Sequence, residues 1–222
     1  MTQMFARSFI EANTRLLRPP LVPEITLHLA EESLPIWRKT EDELGELNVP
    51  PPYWAFAWAG GQALARYILD TPETVAGKSV LDIGSGSGLV AIAAMLAGAI
   101  RVTANDIDAF AITACQLNAA ANNVAIEVVD GDLLTPGNDA QVLPPANITL
   151  LGDLFYDKDL SERAIAFAAD ARRRDSRVLV GDPRRSYFPE SRFVRRADYT
   201  VSVTRELEDS EIKKTAVWEF LE

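Results

Sequence analysis

The chain has 222 residues, 48% of them apolar and 24% charged, which is the composition of an ordinary globular protein with a full hydrophobic core. Acidic residues outnumber basic ones 32 to 22, and the net charge of −10 argues against a nucleic-acid partner, because such affinity depends on lysine and arginine. One cysteine and one histidine exclude a disulfide framework and a His/Cys metal cluster. We expect no membrane partner, since no apolar run approaches the ~20 residues of a membrane span. We also expect a cytoplasmic protein, because a single cysteine fits a reducing compartment, and a monomer.

The first 49 residues are predicted to form an N-terminal helical cap. Apolar residues recur at helical spacing over residues 2–18, and the prolines at 19 and 20 predict the end of this helix, because proline disfavours helix in the residue before it. Three further prolines at 50–52 force an extended segment. We therefore place the start of the main domain, 50–222, at this segment.

An aromatic run, Tyr53 to Trp58, leads into Gly60-Gly61 and a predicted helix. Trp54 and Phe56 are as compatible with core packing as with a binding role. Trp58 is different because it immediately precedes the flexible glycine pair that opens the helix. Its ring is therefore expected to point across a ligand pocket.

Strands and helices then alternate regularly, which predicts an α/β fold with a mainly parallel sheet. The expected strands are 79–83, 101–105, 126–129, 148–151 and 177–180, and the expected helices are 89–96, 109–122 and 159–173. In the tail, two alternating runs, 199–205 and 214–220, flank an acidic turn and predict an antiparallel hairpin. The sequence thus predicts a Rossmann-like sheet of seven strands that ends in an antiparallel hairpin.

The loop after the first of these strands, within Val80-Leu81-Asp82-Ile83-Gly84-Ser85-Gly86-Ser87-Gly88, organises the rest of the chain. An unbroken apolar run is typical of a strand buried on both faces, and alternate glycines let the backbone approach a ligand. The dinucleotide fingerprint requires its third glycine one position later, and Asp82 suits a cationic amino-acid group better than a pyrophosphate. The pattern resembles the first motif of class I methyltransferases, which implies S-adenosylmethionine as the cofactor.

Acidic residues follow the next two strands. Asp106, with Asn105 before it, lies about twenty residues past the glycines, where a carboxylate accepts hydrogen bonds from ribose hydroxyls. Asp130 and Leu133 follow the third strand, in the turn that lines the adenine in a methyltransferase. An ordinary Asx turn is the alternative role for Asp130 and for Asp132.

The fourth strand ends in Gly152-Asp153-Leu154-Phe155-Tyr156-Asp157. The reacting centre of an open α/β sheet lies beyond the carboxyl ends of its strands. The spacing of Asp153 and Tyr156 resembles the Asp/Glu-x-x-Tyr/Phe signature of seven-strand protein lysine methyltransferases. The resemblance implies that Asp153 orients the lysine amine through a charge-assisted hydrogen bond and that Tyr156 walls the lysine channel.

Several segments together resemble the electron-transfer flavoprotein beta-subunit lysine methyltransferases: Pro52 to Leu64, Asn105 to Asp108, Gly152 to Asp157, and Gly181 to Arg184. The resemblance extends over residues 21–220 and implies methylation of lysine in that beta subunit, with S-adenosylhomocysteine as the product. Ala59 departs from the proline expected there. With no mitochondrial leader visible, a bacterial member is expected. The cofactor-binding residues implied are Trp58, Gly61, Asp82, Gly84, Gly86, Asn105, Asp106, Asp130, Leu133 and Asp153.

Other functions remain open at this point. A methyltransferase of the same fold can act on a small amine, as nicotinamide N-methyltransferases do. A nucleotide-dependent oxidoreductase is disfavoured by the glycine spacing, and a binding protein without catalysis leaves Asp153 and Tyr156 without a role. The arginine-rich segment 172–196 is either a solvated face or an RNA-facing strip.

Overall fold

The computed structural model describes residues 3–31, 51–135, 145–203 and 211–221. Its helices are α1 Gln3–Asn13, α2 Ala59–Asp70, α3 Leu89–Leu96, α4 Ala109–Ala121 and α5 Lys158–Arg173. Its strands are β1 Arg15–Leu17, β2 Leu27–Leu29, β3 Ser79–Ile83, β4 Arg101–Asp106, β5 Glu127–Asp130, β6 Ile148–Gly152, β7 Arg177–Asp182, β8 Phe193–Ser202 and β9 Ile212–Phe220. Among the described helices, none has the length and apolarity that crossing a membrane requires.

The main sheet has the strand order β5-β4-β3-β6-β7-β9-β8. The strands from β5 to β7 are parallel, whereas β9 runs antiparallel to both β7 and β8. This confirms the predicted α/β fold, a mainly parallel sheet with an antiparallel C-terminal hairpin. Because the strand order reverses on either side of β3, a crevice is expected beyond the carboxyl end of that strand.

Both faces of the parallel strands are covered by helices, as their unbroken apolar runs require. One face packs against α2 and α3 through residues such as Leu64 and Val90. The other packs against α5 through alanines that include Ala164 and Ala168. The carboxyl ends of β3, β4 and β6 therefore emerge together at one edge of a rigid core.

Strand β8 begins earlier than the predicted start at residue 199. It pairs with β9 from Phe193, which lies opposite Phe220 with ring centroids 5.3 Å apart. This aromatic pair across the strands stabilises the longer hairpin. Most of the predicted acidic turn 206–211, together with the predicted end of the first run at residues 204 and 205, lies outside the described residues.

The helix predicted over residues 2–18 ends at Asn13, so that prediction is wrong at its C-terminal end. The Thr14 hydroxyl donates a 2.6 Å hydrogen bond to the Ile10 carbonyl, and β1 then pairs antiparallel with β2. Strand pairing thus replaces the last turns of the expected helix. The hairpin is tied to α4 by the His28 amide, which donates to Asn118 Oδ1 at 2.7 Å. The predicted cap boundary at residue 49 lies outside the described residues.

Helix α2 crosses β7 at a contact between two glycines. A Cβ added to Gly181 would overlap the backbone oxygen of Gly60, and one added to Gly60 would overlap that of Gly181. Gly152, which lies beside Gly181 in the β6–β7 register, has more room, since its added Cβ would meet the Gly61 Cα at 3.4 Å. The close approach brings the start of α2 over the ends of β6 and β7.

Gly181→Ala is expected to lower the free energy of unfolding by about 3 kcal/mol or more, because backbone atoms cannot move aside as a side chain does. Gly152→Ala is the matched control and is expected to cost less than about 1 kcal/mol. Urea unfolding followed by circular dichroism measures both. Equal losses in the two variants would contradict the close α2–β7 contact.

Candidate active site

A cavity of about 850 Å³ opens at the carboxyl edge of the sheet, which is within the usual range for a ligand pocket. Nearly all residues predicted to form the site line it: Trp58, Gly61, Asp82, Gly84, Gly86, Asn105, Asp106, Leu133, Asp153 and Tyr156. Asp130 is the exception, since it is exposed at the end of β5 and does not contribute to the lining. The fold thus brings residues from distant parts of the chain into one cleft.

The glycine-rich loop takes a shape that other residues would strain. Gly84 and Gly88 have φ angles of 62° and 79°, in the left-handed region that favours glycine. A Cβ on Gly84 would lie 2.7 Å from Leu154 Cδ2, and one on Gly88 would lie 2.7 Å from the sulfur of Cys115. Cys115 is fully buried there, which confirms it as a small core residue. One side of the loop therefore packs tightly against Leu154 and Cys115, while its other side lines the cavity.

Asp82, at the end of β3, is the most unusual acid of the site. Its side chain is 2% exposed, and burial, with a smaller contribution from the charge of Asp106, raises its pKa to about 8. The Oδ2 atom has no hydrogen-bond partner among the described residues. A buried carboxylate oxygen without a donor is costly, and an ammonium group in the cavity would satisfy it.

Asp106 and Asn105, at the end of β4, hold the neighbouring loops in place. Asp106 accepts hydrogen bonds from the Gly86 amide at 2.8 Å and from the Asp108 amide at 3.0 Å. Burial raises its pKa. Asn105 donates to the carbonyls of Val129 and Gly131 at 3.1 and 2.8 Å. Asp106 therefore positions the glycine loop and Asn105 positions the turn after β5.

The turn after β5 places Leu133 and Asp132 in the cavity wall. Asp132 Oδ1 accepts from the Leu134 amide at 3.0 Å, which is the Asx turn considered as an alternative role. Its Oδ2 also accepts from Arg163 of α5 at 2.7 Å. The apolar side chain of Leu133 is thus held against the cavity by a structural carboxylate beside it.

Asp153, just after β6, is fixed in the cavity by two elements. It has a φ of 57° and is 7% exposed. Its Oδ2 accepts from the Gly61 amide in the first turn of α2 at 2.8 Å, where helix N–H groups favour an anion. Its Oδ1 accepts from Arg185 Nη2 at 2.7 Å and from Nε at 3.0 Å.

Sequence reasoning missed Arg185, which lay within the arginine-rich segment. Its guanidinium lies 5.6 Å from the centre of the Trp58 ring and lines the cavity. Other arginines of that segment form ion pairs on the protein surface, such as Arg174 with Asp170 and Arg184 with Glu190. A place shortly after β7, at the same edge as Asp153, separates Arg184 and Arg185 from the rest of that segment, but it does not distinguish the two from each other.

Aromatic side chains form the outer wall of the cavity. The Tyr53 ring lies 5.6 Å from the Tyr156 ring and 6.1 Å from the Trp58 ring, between centroids. Trp58 is held in place by its Nε1, which donates to the Tyr53 carbonyl at 2.9 Å. Burial raises the pKa of Tyr156 to about 12, so its hydroxyl stays protonated at neutral pH. The wall thus offers π faces and no base.

These groups fit the cofactor expected from the sequence. The unpartnered Asp82 oxygen matches the ammonium of S-adenosylmethionine, and the carboxylates lining the cavity favour a cationic ligand. Leu133 offers an apolar surface to a base. Among the described residues there is no cluster of His, Cys, Asp or Glu that could hold a metal. The site can therefore bind a cationic nucleoside and place an acceptor at Asp153.

Comparisons with known proteins agree with this chemistry. Residues 62–149 match the family model of ribosomal protein L11 methyltransferase (PrmA). Over 96% of its length the chain is 37% identical to the electron transfer flavoprotein beta subunit lysine methyltransferase of Xenopus laevis, covering 86% of that protein, and 36% identical to that of Homo sapiens, covering 81% of it. The structure of ribosomal protein L11 methylase from Lactobacillus delbrueckii subsp. bulgaricus shares the fold, with a TM-score of 0.51 and 22% identity over 75% of this chain and 81% of that chain.

Proposed function

Because the chain belongs to the electron-transfer flavoprotein beta-subunit lysine methyltransferase family, we propose that it methylates lysine in the beta subunit of that flavoprotein. The protein is an S-adenosylmethionine-dependent protein lysine methyltransferase, as its sequence predicted. The observation that carries the proposal is Asp153, a buried carboxylate fixed between Gly61 and Arg185 at the edge of the cavity. That it is a bacterial member stays a prediction.

S-adenosylmethionine, when bound, supplies an electrophilic methyl group on a sulfonium. Asp82 would hold its ammonium group, Asp106 would accept from its ribose hydroxyls, and Leu133 would contact its base. The glycine loop would let the backbone approach it closely. The cofactor roles of Trp58, Gly61 and Asp130 stay predictions. The exposed position of Asp130 argues against direct contact between its side chain and the cofactor.

The acceptor lysine must lose a proton before its nitrogen can attack. With a free lysine pKa of ~10.4, forming the neutral amine at pH 7 costs roughly 4.6 kcal/mol. Burial behind the Tyr53, Trp58 and Tyr156 wall disfavours the ammonium form. Asp153 would then accept a hydrogen bond from the neutral amine and fix the direction of its lone pair. The protein contributes mainly orientation and exclusion of water.

The direct test incubates the protein with purified electron-transfer flavoprotein and methyl-labelled cofactor, followed by peptide mass spectrometry. We expect added methyl groups on lysine of the beta subunit and none with the Asp153→Asn variant. Label that appears in a small amine such as nicotinamide, with an unmodified beta subunit, would favour the small-amine function instead.

We also propose that the protein acts as a monomer in the cytoplasm, without nucleic-acid or membrane partners. The net charge of −10 supports the first of these absences, and a single buried thiol suits a reducing compartment. Light scattering after size-exclusion chromatography is expected to give a mass near 24.4 kDa. A mass of twice that value would refute the monomer.

A further inference from the structure

We propose that Arg185 balances the charge of Asp153, so that this carboxylate accepts a neutral lysine amine instead of trapping lysine as its ammonium. The inference rests on the proposed function and deepens it. Arg185 is here a positioning residue, since it acts through Asp153. The ion pair thus offers a hydrogen-bond acceptor to the substrate, although the pair as a whole has little net charge.

The geometry of the pair supports this role. Two nitrogens of Arg185 reach the same oxygen, Oδ1, at 2.7 and 3.0 Å, and the two side chains are 17% and 8% exposed. The Asp153 amide also donates to the Gly181 carbonyl at 2.9 Å. A guanidinium keeps its charge at every physiological pH. The carboxylate is therefore permanently next to a positive charge.

The backbone of Arg185 is also held in place. Its backbone amide donates to Asp182 Oδ1 at 2.7 Å, and Asp182 is fully buried beneath the site. The Asp182 carbonyl in turn accepts from Trp218 Nε1 at 3.2 Å. With the Trp58 ring on another side, the guanidinium has a fixed place, which a solvated surface charge would not need.

The chemical consequence concerns the substrate amine. A lone carboxylate within hydrogen-bond distance stabilises the ammonium form and raises the pKa of lysine, whereas a nearby guanidinium lowers it. The carboxylate of Asp153 can therefore still accept a hydrogen bond, while the guanidinium of Arg185 cancels most of the effect of its negative charge on the pKa of lysine. Asp153 thus orients the amine without opposing its deprotonation.

Other titratable groups surround the pair among the described residues. Asp153 itself directly follows β6, and β7 contributes Asp182, whose pKa burial and the charge of Asp153 raise to about 7. The same cavity is lined by Asp82, Asp106, Asp108, Asp132 and Asp157. The segment after β7 contributes Arg184, paired with Glu190. Tyr156 titrates only near 12. Above pH 8, Asp182 is ionised. Asp82, whose pKa is about 8 in the ligand-free protein, would be kept ionised by the ammonium of the saturating cofactor, so changes above pH 8 report on the lysine.

The test compares Arg185→Gln and Arg185→Lys with the wild type in kcat against pH from 6.5 to 10, at saturating cofactor. For Arg185→Gln we expect the apparent pKa of the rising limb to increase by about one unit or more, and the rate at pH 7 to fall about tenfold and recover at high pH. Arg185→Lys keeps the positive charge but not the two hydrogen bonds of the guanidinium, and it is expected to shift the apparent pKa of the rising limb less.

Two results would overturn the proposal. A fall in kcat by the same factor at every pH would make Arg185 a structural support only. A lower KM with an unshifted limb would mean that Arg185 occupies the lysine position and is displaced by it. Cofactor affinity and thermal stability, measured on each variant, identify any that fails to fold.

A flavoprotein left unmodified by the wild type would refute the proposed substrate and not the charge balance. Calorimetry with n-butylamine and S-adenosylhomocysteine at pH 8.5 then tests the pair alone. Wild type is expected to release a proton on binding the amine and Arg185→Gln to release less. Equal release would refute the charge balance.

Discussion

Replacing Asp153 with asparagine is expected to reduce methyl transfer by at least about 10³-fold, because orientation of the acceptor is the main contribution of the protein. The affinity for S-adenosylmethionine is expected to change by no more than a few fold. Asparagine keeps the shape of aspartate and one oxygen for the Gly61 amide, which donates at 2.8 Å in the wild type. It loses the charge that pairs with Arg185.

Removing one partner of a buried ion pair also destabilises the protein, since the other charge is left without compensation. The double variant Asp153→Asn, Arg185→Gln controls for this, because it removes both charges. It is expected to regain stability and not activity. Single-turnover rates and calorimetric cofactor affinities separate the two effects. Full turnover in Asp153→Asn, or loss of cofactor binding alone, would remove Asp153 from the acceptor site.

Asp82→Asn is expected to weaken cofactor binding by at least about 100-fold, since it removes the charged partner of a buried ammonium. The same change is expected to stabilise the ligand-free protein. In the folded wild type, burial raises the pKa of Asp82 to about 8, from 3.8. The folded state therefore holds a proton that the unfolded state loses, and stability decreases as pH rises from about 4 to about 8.

The amide that Asp82→Asn introduces does not titrate, so the stability advantage of this variant grows through the same pH range and is complete above pH 8. We expect a gain of about 2–5 kcal/mol at pH 8 and a rise in Tm of about 5–10 °C. Asp198→Asn, on an exposed carboxylate of β8, is the matched control and is expected to change neither property. A lower Tm for Asp82→Asn, or an unchanged affinity of this variant for the cofactor, would show that Asp82 does not bind the ammonium group.

Much of the fold could be predicted from periodicity. The bounds of β3 and α3 are those that the sequence predicted, because a fully buried strand and a glycine loop leave few alternatives. The N-terminal helix was overextended, since Leu16 and Leu17 fit both a helix and the β1–β2 pairing. Local spacing does not reveal which partner a short segment will meet.

The site was predictable where a residue lies at a strand end and less so elsewhere. Asp82 and Asp106 lie in the last two residues of β3 and β4, Asp153 directly follows β6, and the parallel sheet brings all three to one edge. Asp130 satisfies the same rule but lies outward, because the edge strand β5 leaves its end exposed. Arg185 could not be found from spacing, since its role depends on a turn after β7 that only the folded chain shows.

The cofactor is expected to lie over the end of β3 and to present its methyl group to the Asp153 side of the cavity. A crystal structure of the protein with S-adenosylhomocysteine would show this arrangement. We predict the amino group of the ligand within hydrogen-bond distance of Asp82 Oδ2, and its sulfur facing the space bounded by Asp153 and Trp58. A ligand bound elsewhere, or with its sulfur turned away from Asp153, would contradict the account.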